Sequence, residues 1–379
     1  MIMNGPLDGE LFNVCYPGNR AANQGPIDLY QQERVTASQG GPAGRMAAIA
    51  RALRRAAAYR VELSMAIIIP TKYDMQTGLA LNIAGIPQHP WDHAFNSYLL
   101  LKQNGHENHT LTLELKIFMK QASTYGLPVV SYTDAGGTLF WIRPWPDSKW
   151  VNFQRTFKHQ CLRWNDRFWL IPPDGFSKLD VKVGTRKVRP NIYCHLFVDL
   201  VGSPGSAHRT IEVVNLDERI TAIQQGKRPS DLDSGDFQSD SGHFDSLDVR
   251  GRKNNSPDDH GHVRRLSSLT IVHEIGHTLG LAHIGVSHHD PLCQIAMILA
   301  DHPVPGISNP FPAILRGGAS ADVCYGDYLP ASRAENVMGQ GMLFDETNAK
   351  PWVDRVALHT VTNAAGWKVS LRRLPPKPV

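Results

Sequence analysis

Paired cysteines are what this chain most plainly lacks. It has five, Cys15, Cys161, Cys194, Cys293 and Cys324, an odd number at wide spacings with no CxxC. That argues against a cysteine-built zinc site and against a disulfide framework. Cys161 and Cys194 lie in apolar segments and read as core thiols, while a Cys293–Cys324 disulfide stays open. No apolar run approaches the roughly 18 residues needed to cross a bilayer. The longest, around Leu63–Pro70, reads as a buried strand. Strong charge of one sign is also missing. A net charge of +4 over 379 residues argues against nucleic acid as the main partner. The opening residues contain no basic start followed by an apolar block, so no Sec-type signal peptide is expected. That leaves a soluble protein that is cytoplasmic or exported by a signal-independent route. No internal repeat is present.

What is present resembles an ordinary globular chain, 42% hydrophobic and 20% charged. The length allows one large or two modest domains. We divide it into an N-terminal region, 1–120, of unknown function, and a second region, 121–379, which holds the segment that carries chemistry. Residues 1–41, rich in Gly, Pro, Asn and Gln, read as an extended lead-in. Residues 42–60 read as a helix with Met46, Ile49, Leu53 and Ala57 on one face and Arg51, Arg54 and Arg55 on a solvated one.

Strand patterns follow at 60–70 and 110–118, with short strands over 128–144. Trp150, Phe153, Phe157, Cys161 and Trp164 recur at helical spacing over 149–164. Strands are expected at Phe168–Pro172, Ile192–Val201 and Arg209–Asn215. Residues 226–262 read as a long polar loop. Its acidic part invites a calcium reading. Counting from Asp231, however, Asp236 and Gly242 stand where an EF-hand needs glycine and glutamate, so a solvated loop is the plainer reading.

One segment carries chemistry: His273-Glu274-Ile275-Gly276-His277-Thr278-Leu279-Gly280-Leu281-Ala282-His283. Leu266, Leu269, Val272, Ile275 and Leu279 make the surrounding helix apolar around much of its circumference, and therefore buried. Burying imidazoles and a carboxylate there is costly unless something pairs with them. His273 and His277, four residues apart, leave the same helical face and can reach one zinc ion at about 2.0–2.1 Å. Glu274 is turned off that direction, beside the metal, where it can act as general base and then acid. On a continuous helix His283 would lie roughly 9 Å beyond His277. Gly280 can take a left-handed conformation and turn the chain back. Three nitrogen ligands leave a coordination position open, the catalytic zinc arrangement. HExxH alone arises by chance in roughly one such chain in 50, and the extended pattern in on the order of one in ten thousand.

HEIGHTLGLAH resembles the zinc signature of the metzincin peptidases. Those enzymes carry a methionine in a tight turn beneath the metal. Glu335-Asn336-Val337-Met338-Gly339-Gln340-Gly341 is similar to that Met-turn, with Met338 in the key position. A looser likeness, in the order helix, strands, motif helix, spans 125–370. The resemblance implies an α+β fold with a twisted mixed sheet, an active-site helix and a mostly irregular C-terminal subdomain, the cleft lying between. It implies endopeptidase activity on polypeptide substrates held against a strand that precedes the motif helix, with one catalytic zinc.

Ile284 stands where the subfamilies carry Glu, Asp, Ser or Pro, so no subfamily is assigned. His288, His289 and Asp290 offer a second ion or plain surface polarity. Tyr325 and Tyr328 are remote oxyanion candidates. Cys15 is chemically able to hold the zinc in a latent form. Two rival readings stay open: a zinc hydrolase of a non-peptide amide, and a catalytically silent zinc-binding module. A biological role as a secreted or injected bacterial effector is suggested by the absence of a Sec-type leader together with a loose likeness.

Overall fold

The computed structural model describes residues 66–88, 92–102, 108–134, 138–232, 234, 237, 239, 242–257, 262–284 and 334–379. The chain divides after Glu62, and Leu63–Val379 form one unit. The expectations placed on 1–65 and 285–333 lie outside the described residues. These include the 42–60 helix, Cys15, Cys293, Cys324, His288, His289, Asp290, Tyr325 and Tyr328.

The chain is a mixed α+β structure. The described residues begin with a meander, β1 (Ile67–Tyr73), β2 (Ala80–Ile86) and β3 (Asn96–Leu100), each antiparallel to the next. The longest strand follows, β4 (His109–Gln121). Its sequence, HTLTLELKIFMKQ, alternates strictly, and Leu111, Leu113, Leu115 and Ile117 are fully buried while the intervening residues are not. That period of two is why the segment is a strand, and it fixes which face meets the core. A hairpin, β5 (Val130–Thr133) with β6 (Leu139–Ile142), precedes helix α1 (Asp147–Cys161).

Next come β7 (Trp169–Ile171), the small pair β8 (Val181–Val183) and β9 (Arg186–Arg189), and β10 (Ile192–Leu200). Then β11 (Arg209–Val214) leads into helix α2 (Glu218–Gln224) and β12 (His243–Asp245). Strand β10 runs parallel to β4 over His109–Ile117. Strand β11 runs parallel to the end of β4, and β12 parallel to β11. The sheet is therefore mixed, as expected: an antiparallel front and a parallel centre.

Three boundaries differ from the sequence reading. Residue 120 falls inside β4, which pairs with β3, β10 and β11, so residues 66–121 and the later strands share one sheet. The supposed loop 226–262 contains β12 and β13 (Arg252–Pro257), the latter paired with β14 (Val263–Ser268). Part of it is anchored by Leu232, Phe237 and Leu247, which pack with Phe140, Ile142, Val214 and Leu216 in a second apolar cluster. Finally, Leu266 belongs to β14, and helix α3 (Thr270–Thr278), which carries His273 and His277, begins only after Leu269.

The C-terminal region is less separate than the resemblance implies. Helix α4 (Lys350–Thr360) puts Trp352 and Val356 into the main core, and β15 (Lys368–Ser370) pairs with β7 in the main sheet. The short β16 (Lys377–Pro378) pairs with β9. The apolar stripe of α1 closes the other end of the core. Phe153, Phe157 and Cys161 pack there with Trp164, whose Nε1 donates to the Val272 carbonyl at 3.1 Å. Cys161 and Cys194 are free and buried, as expected of core thiols, and burial raises both thiol pKa values.

Candidate metal centre

Helix α3 is short and enclosed; seven of its nine residues are buried, His273 and Glu274 among them. Its end is a Schellman turn. The Gly280 amide donates to the His277 carbonyl at 2.8 Å and the Leu281 amide to the Gly276 carbonyl at 3.0 Å. Gly280 has φ +90°, a conformation only glycine adopts without strain. The chain thus reverses where the spacing required, and His283 returns to the helix.

The three imidazoles converge. Their Nε2 atoms form a triangle with edges of 3.1 Å (His273–His277), 2.8 Å (His277–His283) and 3.1 Å (His273–His283). A point equidistant from all three lies about 1.7 Å from each, so the three nitrogens are close enough together to serve as ligands of one metal ion. Glu274 is not in this ligand group. It is buried on the same helix, one residue from His273.

Protonation decides what the triangle is. His273 Nδ1 lies 2.8 Å from the Val337 carbonyl oxygen, and His277 Nδ1 lies 2.8 Å from that of Leu281. A carbonyl only accepts, so each Nδ1 carries the proton and donates it. Burial, joined by the neighbouring imidazole charge, pushes His273 down to about 3; burial pushes His277 down to about 4. Burial likewise holds His283 well below the ordinary histidine range. The rings are therefore neutral near pH 7. The unprotonated Nε2 atoms of His273 and His277 are acceptors that have no proton to share. Lone pairs facing one another at this separation repel, and a cation among them removes the repulsion. The donor set is thus one that could bind a metal ion.

The segment 335–341 packs against this centre. Val337 supplies the carbonyl that orients His273. The Met338 carbonyl accepts from the Ile284 amide at 2.9 Å and so fastens the arm next to His283. Asn336 Oδ1 accepts from the Met338 amide at 2.8 Å, and Asn336 and Asn348 exchange side-chain hydrogen bonds at 3.0 and 3.1 Å. Asn254 Nδ2, from β13, donates to the Gln340 carbonyl at 3.2 Å. Met338 is buried against Gly276 of the metal helix.

All the expected ligands are thus brought together, and Met338 is brought to them. Sequence reasoning missed the carbonyls of Val337 and Leu281, which carry no side-chain signature. It also missed Gly276 as a contact, although a glycine inside an apolar helix is itself a packing signal. No helix among the described residues is long and apolar enough to cross a membrane. No family model, curated protein or solved structure matches this chain.

Proposed function

We propose that this protein is a zinc-dependent metalloendopeptidase of metzincin type, with His273, His277 and His283 as ligands and Glu274 as general base. The observation that carries the reading is the triangle of three neutral imidazoles, two of which, His273 and His277, give their Nδ1 protons to backbone carbonyls and so turn unprotonated Nε2 atoms inward. Three nitrogen ligands suit zinc and leave a coordination position for water or substrate. The Met338 turn beneath the helix, and a helix end turned by Gly280, agree with the same reading.

Zinc bound there would supply Lewis acidity, polarising the scissile carbonyl and acidifying a water molecule. The chain's own residues do the rest. Glu274, adjacent to His273 and held in a buried helix, takes the proton from the attacking water and delivers it to the leaving amine. The Val337 and Leu281 carbonyls hold the His273 and His277 rings in the tautomer that presents Nε2. The Met338 carbonyl holds Ile284 and, through it, the His283 arm.

The test is to incubate the zinc-loaded protein with a proteome digest and read new termini by mass spectrometry, with Glu274→Gln as the blank. We expect cleavage by the wild type, and a loss of about 10²–10⁴-fold in the variant at unchanged zinc content. Zinc binding without any cleavage would favour the silent-module reading. Activity confined to a non-peptide amide would favour the other hydrolase.

A further inference from the structure

The Schellman turn that ends α3 leaves one carbonyl to account for. The last four carbonyls of a helix have no partner within it. Here the Ile275 carbonyl is taken by the Leu279 amide, that of Gly276 by Leu281, and that of His277 by Gly280. Thr278, the last helical residue, is served from elsewhere. The His93 ring, whose pKa burial holds below the ordinary histidine value, hydrogen-bonds to the Thr278 backbone, the ring donating and the carbonyl accepting. The same ring lies over the turn. A Cβ placed on Gly280 would be 3.5 Å from His93 Cγ and 3.6 Å from its Cδ2.

His93 is remote in sequence from everything else at the centre. It lies between β2 and β3, in the meander that the sequence alone left without a function. Its contacts fall on the two residues, Thr278 and Gly280, where the chain turns from the His277 helix to the His283 arm. Two ligands on a helix are fixed by the helix, but the third depends on the angle at which the arm departs.

We propose that His93 is a positioning residue of the metal centre: it clamps the end of the metal helix and so fixes the arm that carries His283. The front meander is then part of the metal-binding unit. The clamp stands on the ring's place over Gly280 and its bond to Thr278; its effect on metal affinity rests on the function proposed above.

The test uses the full-length, metal-free protein and its His93→Leu and His93→Gln variants. Leucine keeps apolar bulk over Gly280 and removes the donor; glutamine keeps a donor. Amide hydrogen exchange at Gly280 and Leu281 is expected to accelerate about tenfold or more in His93→Leu and to stay near wild type in His93→Gln. Zinc affinity, measured by chelator competition, should fall about 10–100-fold in His93→Leu and be largely restored in His93→Gln. Exchange in β4 monitors the fold. If His93→Leu loses protection there too, the comparison passes to His93→Phe, which keeps a ring without the donor. Wild-type exchange at Gly280 and Leu281 in the donor-less variant overturns the clamp, whatever zinc does. Faster exchange with unchanged zinc affinity overturns its role in the metal centre. If the wild type binds no zinc, the metal reading falls, and the exchange data still decide the clamp.

Discussion

The sulfur of Met338 stands where a side chain on Gly276 would begin. A Cβ built on Gly276 would lie 2.2 Å from Met338 Sδ and 3.1 Å from the Trp164 ring. Helix α3 and the turn that carries Met338 therefore approach at a distance only glycine permits, and that closeness lets the Val337 carbonyl reach His273.

Gly276→Ala is accordingly expected to destabilise the protein by about 1–3 kcal/mol through overpacking. This runs against helix propensity, which favours alanine by about 1 kcal/mol. Met338→Ala alone should cost about 2–5 kcal/mol by opening a cavity. The double variant should be more stable than the sum of the two, because the alanine methyl enters the space the thioether leaves. Denaturant unfolding of the four proteins measures the coupling; strict additivity would contradict the contact.

Gly280→Ala should cost about 1–2 kcal/mol, since φ +90° is strained for any residue with a Cβ. Metal affinity should fall with it, because the arm carrying His283 leaves from this residue. Chelator competition reads the affinity and thermal unfolding the stability. A variant as stable and as tight-binding as wild type would show that the turn is not needed.

Acid should weaken the fold through His359, which is wholly buried between the Ala80 carbonyl and Ser97. Burial pushes its pKa down to about 4 from an ordinary 6.5. The unfolded chain takes up the proton first as pH falls. The contribution is therefore complete above pH 6.5 and is lost between pH 6.5 and about 4, on the order of 3 kcal/mol. His359→Gln should flatten the stability–pH slope in that window by up to one proton. An unchanged slope would mean that His359 takes up its proton in the folded state as readily as in the unfolded one.

Asn336→Ala should cost about 1–3 kcal/mol. It removes the acceptor for the Met338 amide and leaves Asn348 without its buried partner. Because Met338 and Val337 share the turn, zinc affinity should drop together with stability. A loss of stability with affinity intact would uncouple the turn from the centre.

The convergence of the three histidines was legible because its information is local. Helical spacing placed His273 and His277 together, and Gly280 marked the reversal that returned His283. The β4 and β10 strands were legible for the same reason, through strict alternation. The N-terminal boundary was not, because whether a strand joins a neighbouring sheet depends on partners far along the chain. Residues 226–262 read as loop because β12 and β13 are short and polar, and their pairing is decided by β11 and β14 rather than by apolar periodicity. Leu266 mimicked a helical position while lying in a strand, since apolar residues spaced by three serve either structure at a boundary. His93 carried no local signal at all.

The central claim is that His273, His277 and His283 form one metal centre. Zinc titration of the metal-free protein against a competing chelator, repeated with His283→Ala, tests it most directly. The account predicts one tightly bound zinc per chain, and an affinity lower by at least about 100-fold in the variant, whose helix still offers two ligands. Absence of binding by the wild type, or equal binding by His283→Ala, would contradict it.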